Sequence, residues 1–158
     1  MTPRSQSSNR RSTAAQLGEA GEALVAAWLI QEGWTIEARR WRCRAGELDL
    51  VARSAAGLAF VEVKTRSPGS WDAGGALAIG PAKQAKLVQA ALTLLAERSD
   101  WAELPWRFDV ALVARAHLAG STPLIDRPSE PIAIGQPLWF QGQALAIVDY
   151  WPGAIEGN

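Results

Sequence analysis

Two carboxylates and a lysine lie at spacings that suit phosphate chemistry. Asp49 sits in Gly46-Glu47-Leu48-Asp49-Leu50, and Glu62 and Lys64 sit in Phe60-Val61-Glu62-Val63-Lys64. Both stretches read as strands, in which residues two apart share a face. Glu47, Asp49 and Val51 then share one face, with Leu48, Leu50 and Ala52 on the other; Phe60, Glu62 and Lys64 share a face of the next strand. With Ala55 and Ala56 at a hairpin tip and Ser54 facing Gly57, Asp49 lies opposite Glu62 and Glu47 opposite Lys64. Directly opposed carboxylates repel. A hard divalent cation, Mg²⁺ or Mn²⁺, removes the objection, because it takes oxygen ligands from one or two carboxylates plus water and phosphate. Such an ion polarises a phosphoryl oxygen and activates water, and a lysine on the same face could orient that water or hold developing charge. The competing reading is a solvated hairpin with surface ion pairs, each contributing about 0–1 kcal/mol. Periodicity alone leaves both open.

The elements that must position these residues are legible around them. Residues 14–32 read as a helix, with Leu17, Leu24, Val25, Trp28 and Leu29 at helical spacing and Gly33 as a stop. At about 100° per residue, Glu22 falls at the margin of its apolar face, with Gly18 one turn earlier where it would permit close approach. Residues 34–41, 47–53 and 58–66 read as strands. The Gly-rich stretch 67–80, centred on Trp71, has the composition of a mobile flap. Pro81 suits a first helical position and opens a helix to about residue 98, with Leu87, Val88, Ala91, Leu92 and Leu95 inward. Residues 107–114 read as a fourth strand. Four prolines between 120 and 137 predict irregular backbone, and 138–140 with 144–150 predict a closing hairpin. This order predicts an α/β sandwich with a mixed central sheet flanked by helices. One domain is expected over 14–158, with a Pro-rich insert near 115–137, behind a flexible basic tail over 1–13.

The whole chain narrows the chemistry. Its 158 residues suit one domain. Lys plus Arg equals Asp plus Glu at 16 each, so attraction to nucleic acid must come from local clustering. One cysteine (Cys43) and one histidine (His117) exclude a Cys/His zinc site and an intramolecular disulfide, and argue against a His-dependent triad. The lone cysteine fits a reducing compartment. The first thirteen residues carry Arg4, Arg10 and Arg11 and no apolar stretch, and no run spans a membrane, so the expected place is the cytoplasm.

At the carboxylates the sequence resembles a known pattern. Gly46-Glu47-Leu48-Asp49-Leu50 followed by Phe60-Val61-Glu62-Val63-Lys64-Thr65-Arg66 resembles the PD-(D/E)XK nuclease signature. More narrowly it resembles the YraN family of small bacterial proteins, which are similar to archaeal Holliday-junction resolvases. Gly21-Glu22 matches a pair in that family's first helix, Lys83 a lysine early in its second, and Arg107 to Val110 its R-F-D-V strand. The resemblance covers roughly residues 14–114; the Pro-rich stretch beyond is a departure. It implies a restriction-endonuclease-like three-layer sandwich, metal ligands at Asp49, Glu62 and the backbone carbonyl of Val63, a catalytic Lys64, and Glu22 approaching the metal. It also allows a homodimer, though the sequence carries no dimer signature.

Arg39, Arg40, Arg42 and Arg44 surround Trp41, a composition that can hold phosphates and stack a base; a solvated strand edge with Trp41 in the core is equally open. Arg53 and Arg66 would extend a basic rim, and Lys83 either contacts the scissile phosphate or is a solvated first-turn lysine. Gln84 points inward, and Asp109 reads as a hydrogen-bonding anchor. Two functions emerge: a metal-dependent phosphodiesterase on nucleic acid, branched or flapped DNA among the candidates, and a non-catalytic nucleic-acid-binding or scaffolding module on the same fold.

Overall fold

The hairpin carrying the carboxylates forms as its parity requires. In the computed structural model, which describes residues 5–67, 79–120 and 130–155, β2 (Gly46–Ser54) pairs antiparallel with β3 (Gly57–Arg66), and Ser54 faces Gly57. Ala55 and Ala56 form the tip, where the Ala56 N–H donates to Ser54 Oγ at 3.1 Å. Gly57 is needed there: its φ is 126°, and a Cβ would stand 2.2 Å from the Pro105 carbonyl oxygen.

Around this hairpin run α1 (Ser5–Gln31), β1 (Thr35–Cys43), α2 (Pro81–Glu97), a short 3-10 turn (Ser99–Trp101), β4 (Trp106–Arg115), β5 (Leu138–Phe140) and β6 (Gln143–Ile155). The strands form one mixed six-stranded sheet in the order β1-β2-β3-β4-β6-β5, with only the β3–β4 pair parallel. That parallel pair needs a crossover, and α2 lies on it. Each helix covers its own core. Leu24, Val25 and Leu29 of α1 pack with Leu50, Val61, Val113 and Ile147; Leu87, Ala91 and Leu94 of α2 pack with Val51, Phe60, Phe108 and Val110. The result is the α/β sandwich that the element order predicts.

Four details differ from the sequence expectation. Helical backbone starts at Ser5, nine residues before the expected start, because no proline or glycine interrupts the chain between Ser5 and Gly18; residues 1–4 lie outside the described residues. On α2 the buried positions are Leu87, Ala90, Ala91 and Leu94, and Leu92 is exposed. Leu48 joins the α2-side core although Leu50 faces α1, because the β2–β3 ladder ends at Leu50–Val61 and strict alternation lapses beyond it. The close approach of α1 is made by Gly21, not Gly18: a Cβ on Gly21 would meet Thr65 Oγ1 at 2.0 Å, whereas nothing lies within 4 Å of one on Gly18.

Part of the Pro-rich stretch is firmly held. Gln31, at the end of α1, donates to the Ile132 carbonyl at 2.7 Å and accepts from the Ile132 N–H at 2.8 Å. Ile132 itself is buried in the α1-side core. Residues 121–129, and residues 68–78 with Trp71 and most of the expected flap, lie outside the described residues.

Candidate metal and phosphate site

Where the ladder ends, Asp49 takes over from the backbone. One carboxylate oxygen accepts from the Val63 N–H at 2.9 Å, tying β2 to β3 beside Glu62. Glu62 is only 6% exposed, the deepest acid in the hollow. Its carboxylate accepts from the Lys83 ammonium on the first turn of α2. Asp49 and Glu62 line one hollow of about 540 Å³ with Gly46, Glu47, Lys83 and Lys86. One wall is acidic and comes from β2 and β3; the other carries two lysines one helical turn apart on α2.

The electrostatics follow from burial. The Asp49 carboxyl is pushed up from 3.8 to about 8, chiefly by burial, then by the charge of Glu62, with the Val63 N–H opposing and the charge of Glu22 adding. Two carboxyl groups in such contact need a proton or a cation between them. Burial is also the main cause lowering the Lys64 ammonium, helped by the charges of Arg66 and Lys83 and opposed by that of Glu62.

The donor set suits a hard divalent ion: two carboxylates side by side, all-oxygen, with mutual repulsion that a cation relieves. Among the described residues no three His, Cys, Asp or Glu side chains form a ligand group. The remaining positions would fall to the Val63 carbonyl, water and phosphate.

Glu22 is not gathered into this hollow. It accepts from Arg40 Nε at 2.7 Å, and Glu19 accepts from the same guanidinium at 2.9 Å. Both acids line a second hollow with Arg39, Arg40, Leu50 and Gln141. The backbone explains this: Arg40 has φ of 49°, a left-handed conformation rare for a non-glycine residue. Its neighbours Arg39 and Trp41 pair with Leu50 and Leu48, so Arg40 stands across from Asp49 yet sends its guanidinium to α1.

Glu47 lines the first hollow but takes its partner from β1. It faces Arg42 across the β1–β2 pair and accepts from its Nε at 2.9 Å, so the Glu47–Lys64 pairing expected from parity is replaced. The physical reason is the end of the β2–β3 ladder short of those positions. Of the basic residues, Arg39, Arg40, Arg42 and Arg44 lie on or just after the edge strand β1, all exposed. Arg66 is exposed at the end of β3, where it donates to the Thr65 carbonyl. Trp41 is half-buried against the α2-side core. Gln84 donates to the Ile79 carbonyl at 2.6 Å, fixing the entry to α2. Lys86 was not singled out by sequence; its spacing of three from Lys83, which places both on one helix face, was the available signal.

Comparison with other proteins agrees with the motifs. The family model described as "Uncharacterised protein family UPF0102" matches residues 21–113. A UPF0102 protein of Synechococcus sp. (strain JA-3-3Ab) is 55% identical over 147 residues, 93% of this chain and 95% of that protein. UPF0102 proteins of Acaryochloris marina and a Synechocystis strain are 42% and 41% identical, over 93% and 89% of this chain and 94% and 98% of theirs. Matches of that length must take in most of the chain beyond Ala114, so the extension past β4 is common to these relatives.

Proposed function

This chain belongs to the uncharacterised protein family UPF0102, the YraN family that its motifs resemble, and on that premise we propose that it is a metal-dependent phosphodiesterase acting on nucleic acid. The observation that carries the reading is the contact of two largely buried carboxylates, Asp49 and Glu62, in a hollow whose opposite wall is cationic. Asp49, Glu62 and the Val63 carbonyl would hold Mg²⁺ or Mn²⁺. When bound, that ion supplies Lewis acidity and an activated water at neutral pH. Lys64, whose ammonium burial shifts downward, orients water and meets negative charge as it develops. Lys83 and Lys86 receive a phosphate of the backbone, and Arg39, Arg42, Arg44 and Arg66 extend the cationic track that a polyanion requires. DNA with a flap or a branch is the substrate class the resemblance suggests.

The test is a cleavage screen over duplex, flapped, branched and single-stranded DNA with Mg²⁺ or Mn²⁺. Cleavage that chelator stops, and that the E62Q/K64A double variant lacks, is the expected result. Identical cleavage by both proteins would overturn the reading. One observation favours a second reading, a non-catalytic nucleic-acid-binding module: Glu22 and Glu62 each already carry a cationic partner from the chain itself. That reading expects salt-dependent DNA binding that chelator leaves unchanged.

A further inference from the structure

Resting on the metal-site reading, we propose that Lys83 is an exchangeable counter-ion that couples metal loading to phosphodiester binding. Glu62 is buried, and the ammonium it accepts from belongs to a side chain 55% exposed at the mouth of the hollow. The anion is fixed in the sheet and the cation is free to leave toward solvent. A divalent ion on the Glu62 carboxylate and an ammonium hydrogen-bonded to the same group repel each other, so the two occupy it in alternation.

The second position for Lys83 is supplied by its own helix. α2 begins with Pro81 after Gly80, with no side-chain cap and no acid in its first turn. A helix start of that kind favours an anion, and Lys83 and Lys86 stand on that turn and the next, both lining the hollow. A backbone phosphate at this wall draws Lys83 off Glu62 and opens the carboxylate to metal. By linkage, metal then strengthens phosphate binding by the same factor.

The experiment measures Mn²⁺ affinity by electron paramagnetic resonance in full chains carrying Lys64→Ala, to suppress turnover. Lys83, Lys83→Gln and Lys83→Arg versions are compared with and without a short flapped DNA. With Lys83 present, DNA is expected to tighten Mn²⁺ binding about fivefold or more, the lower range of ordinary coupling. Lys83→Gln should bind Mn²⁺ more tightly than the Lys83 chain by about the same factor without DNA, and gain less than about twofold from it. Lys83→Arg keeps the coupled pattern. If Lys83→Gln keeps both the weak Mn²⁺ affinity and the full DNA enhancement, the phosphate acts only by bridging to metal and the exchange is wrong. Absence of Mn²⁺ binding in all three chains overturns the metal reading and the exchange together, which separates the two failures.

Discussion

The Asp49 carboxylate accepts from the Val63 backbone N–H just beyond Leu50–Val61, the last pair of the β2–β3 ladder. A side chain thus replaces a strand's carbonyl as the acceptor, and the two strands can part without stranding a buried donor. The parting opens the hollow between Asp49, Glu62 and α2. It also sets the orientation of Asp49, one of whose oxygens is held by the backbone.

That contact makes stability depend on pH when no divalent ion is present. Asp49 is raised to about 8 from 3.8, so the folded chain keeps a proton that the unfolded chain releases above about pH 4. The associated stability is complete below the unfolded value and is lost as pH rises through about 8. Asp49→Asn retains an acceptor for Val63 and removes the titration. In chelator at about pH 8.5 the variant should melt higher than wild type by at least ~2–4 °C, the shift about 1 kcal/mol produces in a chain of this size. Parallel pH–melting curves for the two proteins would show that Asp49 is not the titrating group.

Lys64 should separate chemistry from binding. On the proposed mechanism Lys64→Ala removes a donor to developing charge, a loss that ordinarily slows turnover about 10²–10³-fold. Mn²⁺ should bind the variant at least as tightly, since a neighbouring positive charge is gone. Single-turnover cleavage together with a Mn²⁺ titration decides the matter: a fall in rate that simply tracks lost metal affinity would assign Lys64 to folding or metal retention.

Much of this site could be read from spacing. The hairpin register follows from parity plus a tip, and it leaves Asp49 and Glu62 one step beyond its last pair, Leu50–Val61; the tip was legible because Ala55-Ala56-Gly57 is the break between the two runs. Pro81 likewise marked the start of α2. What spacing could not show was partner choice among charges. Glu47 prefers Arg42 to Lys64 because the ladder ends early, and Glu22 is held by Arg40 through a left-handed residue that no alternation pattern encodes. The choice between Gly18 and Gly21 as the contact glycine depended on which turn of α1 meets Thr65, a tertiary fact.

Those two glycines give an opposed pair of outcomes. Gly21→Ala places a Cβ in contact with a buried threonine hydroxyl and should cost about 1–3 kcal/mol as an overpacked core does. Gly18→Ala meets nothing within 4 Å and should stabilise by up to about 1 kcal/mol, because glycine is a poor residue inside a helix. Urea denaturation measures both. Equal effects of the two substitutions would contradict the seating of α1 on β3.

Away from the site, the sheet depends on a buried acid. Asp109 is fully buried on β4 and accepts from Arg107 at 2.9 and 3.2 Å, from the Tyr150 hydroxyl at 2.5 Å and from the Gly153 N–H at 2.9 Å. Four donors converge on one carboxylate, and they bind β6 to β4 where the pairing between them is irregular. The same acid, after burial, keeps the Tyr150 hydroxyl from ionising. Tyr150→Phe removes one donor and should cost about 1.5–3 kcal/mol, the range for a hydrogen bond to a charged group. Asp109→Asn puts an amide N–H₂ against donors on every side and leaves the Arg107 charge without its partner. It should cost more, about 3 kcal/mol, toward the lower end of the range for breaking a buried pair because Arg107 is 42% exposed. The size of the Tyr150→Phe loss is the sharp part, since a tyrosine that served only by filling space against Trp28 would lose almost nothing as phenylalanine. Chemical denaturation of both variants therefore distinguishes an anchor built on charge from one built on packing.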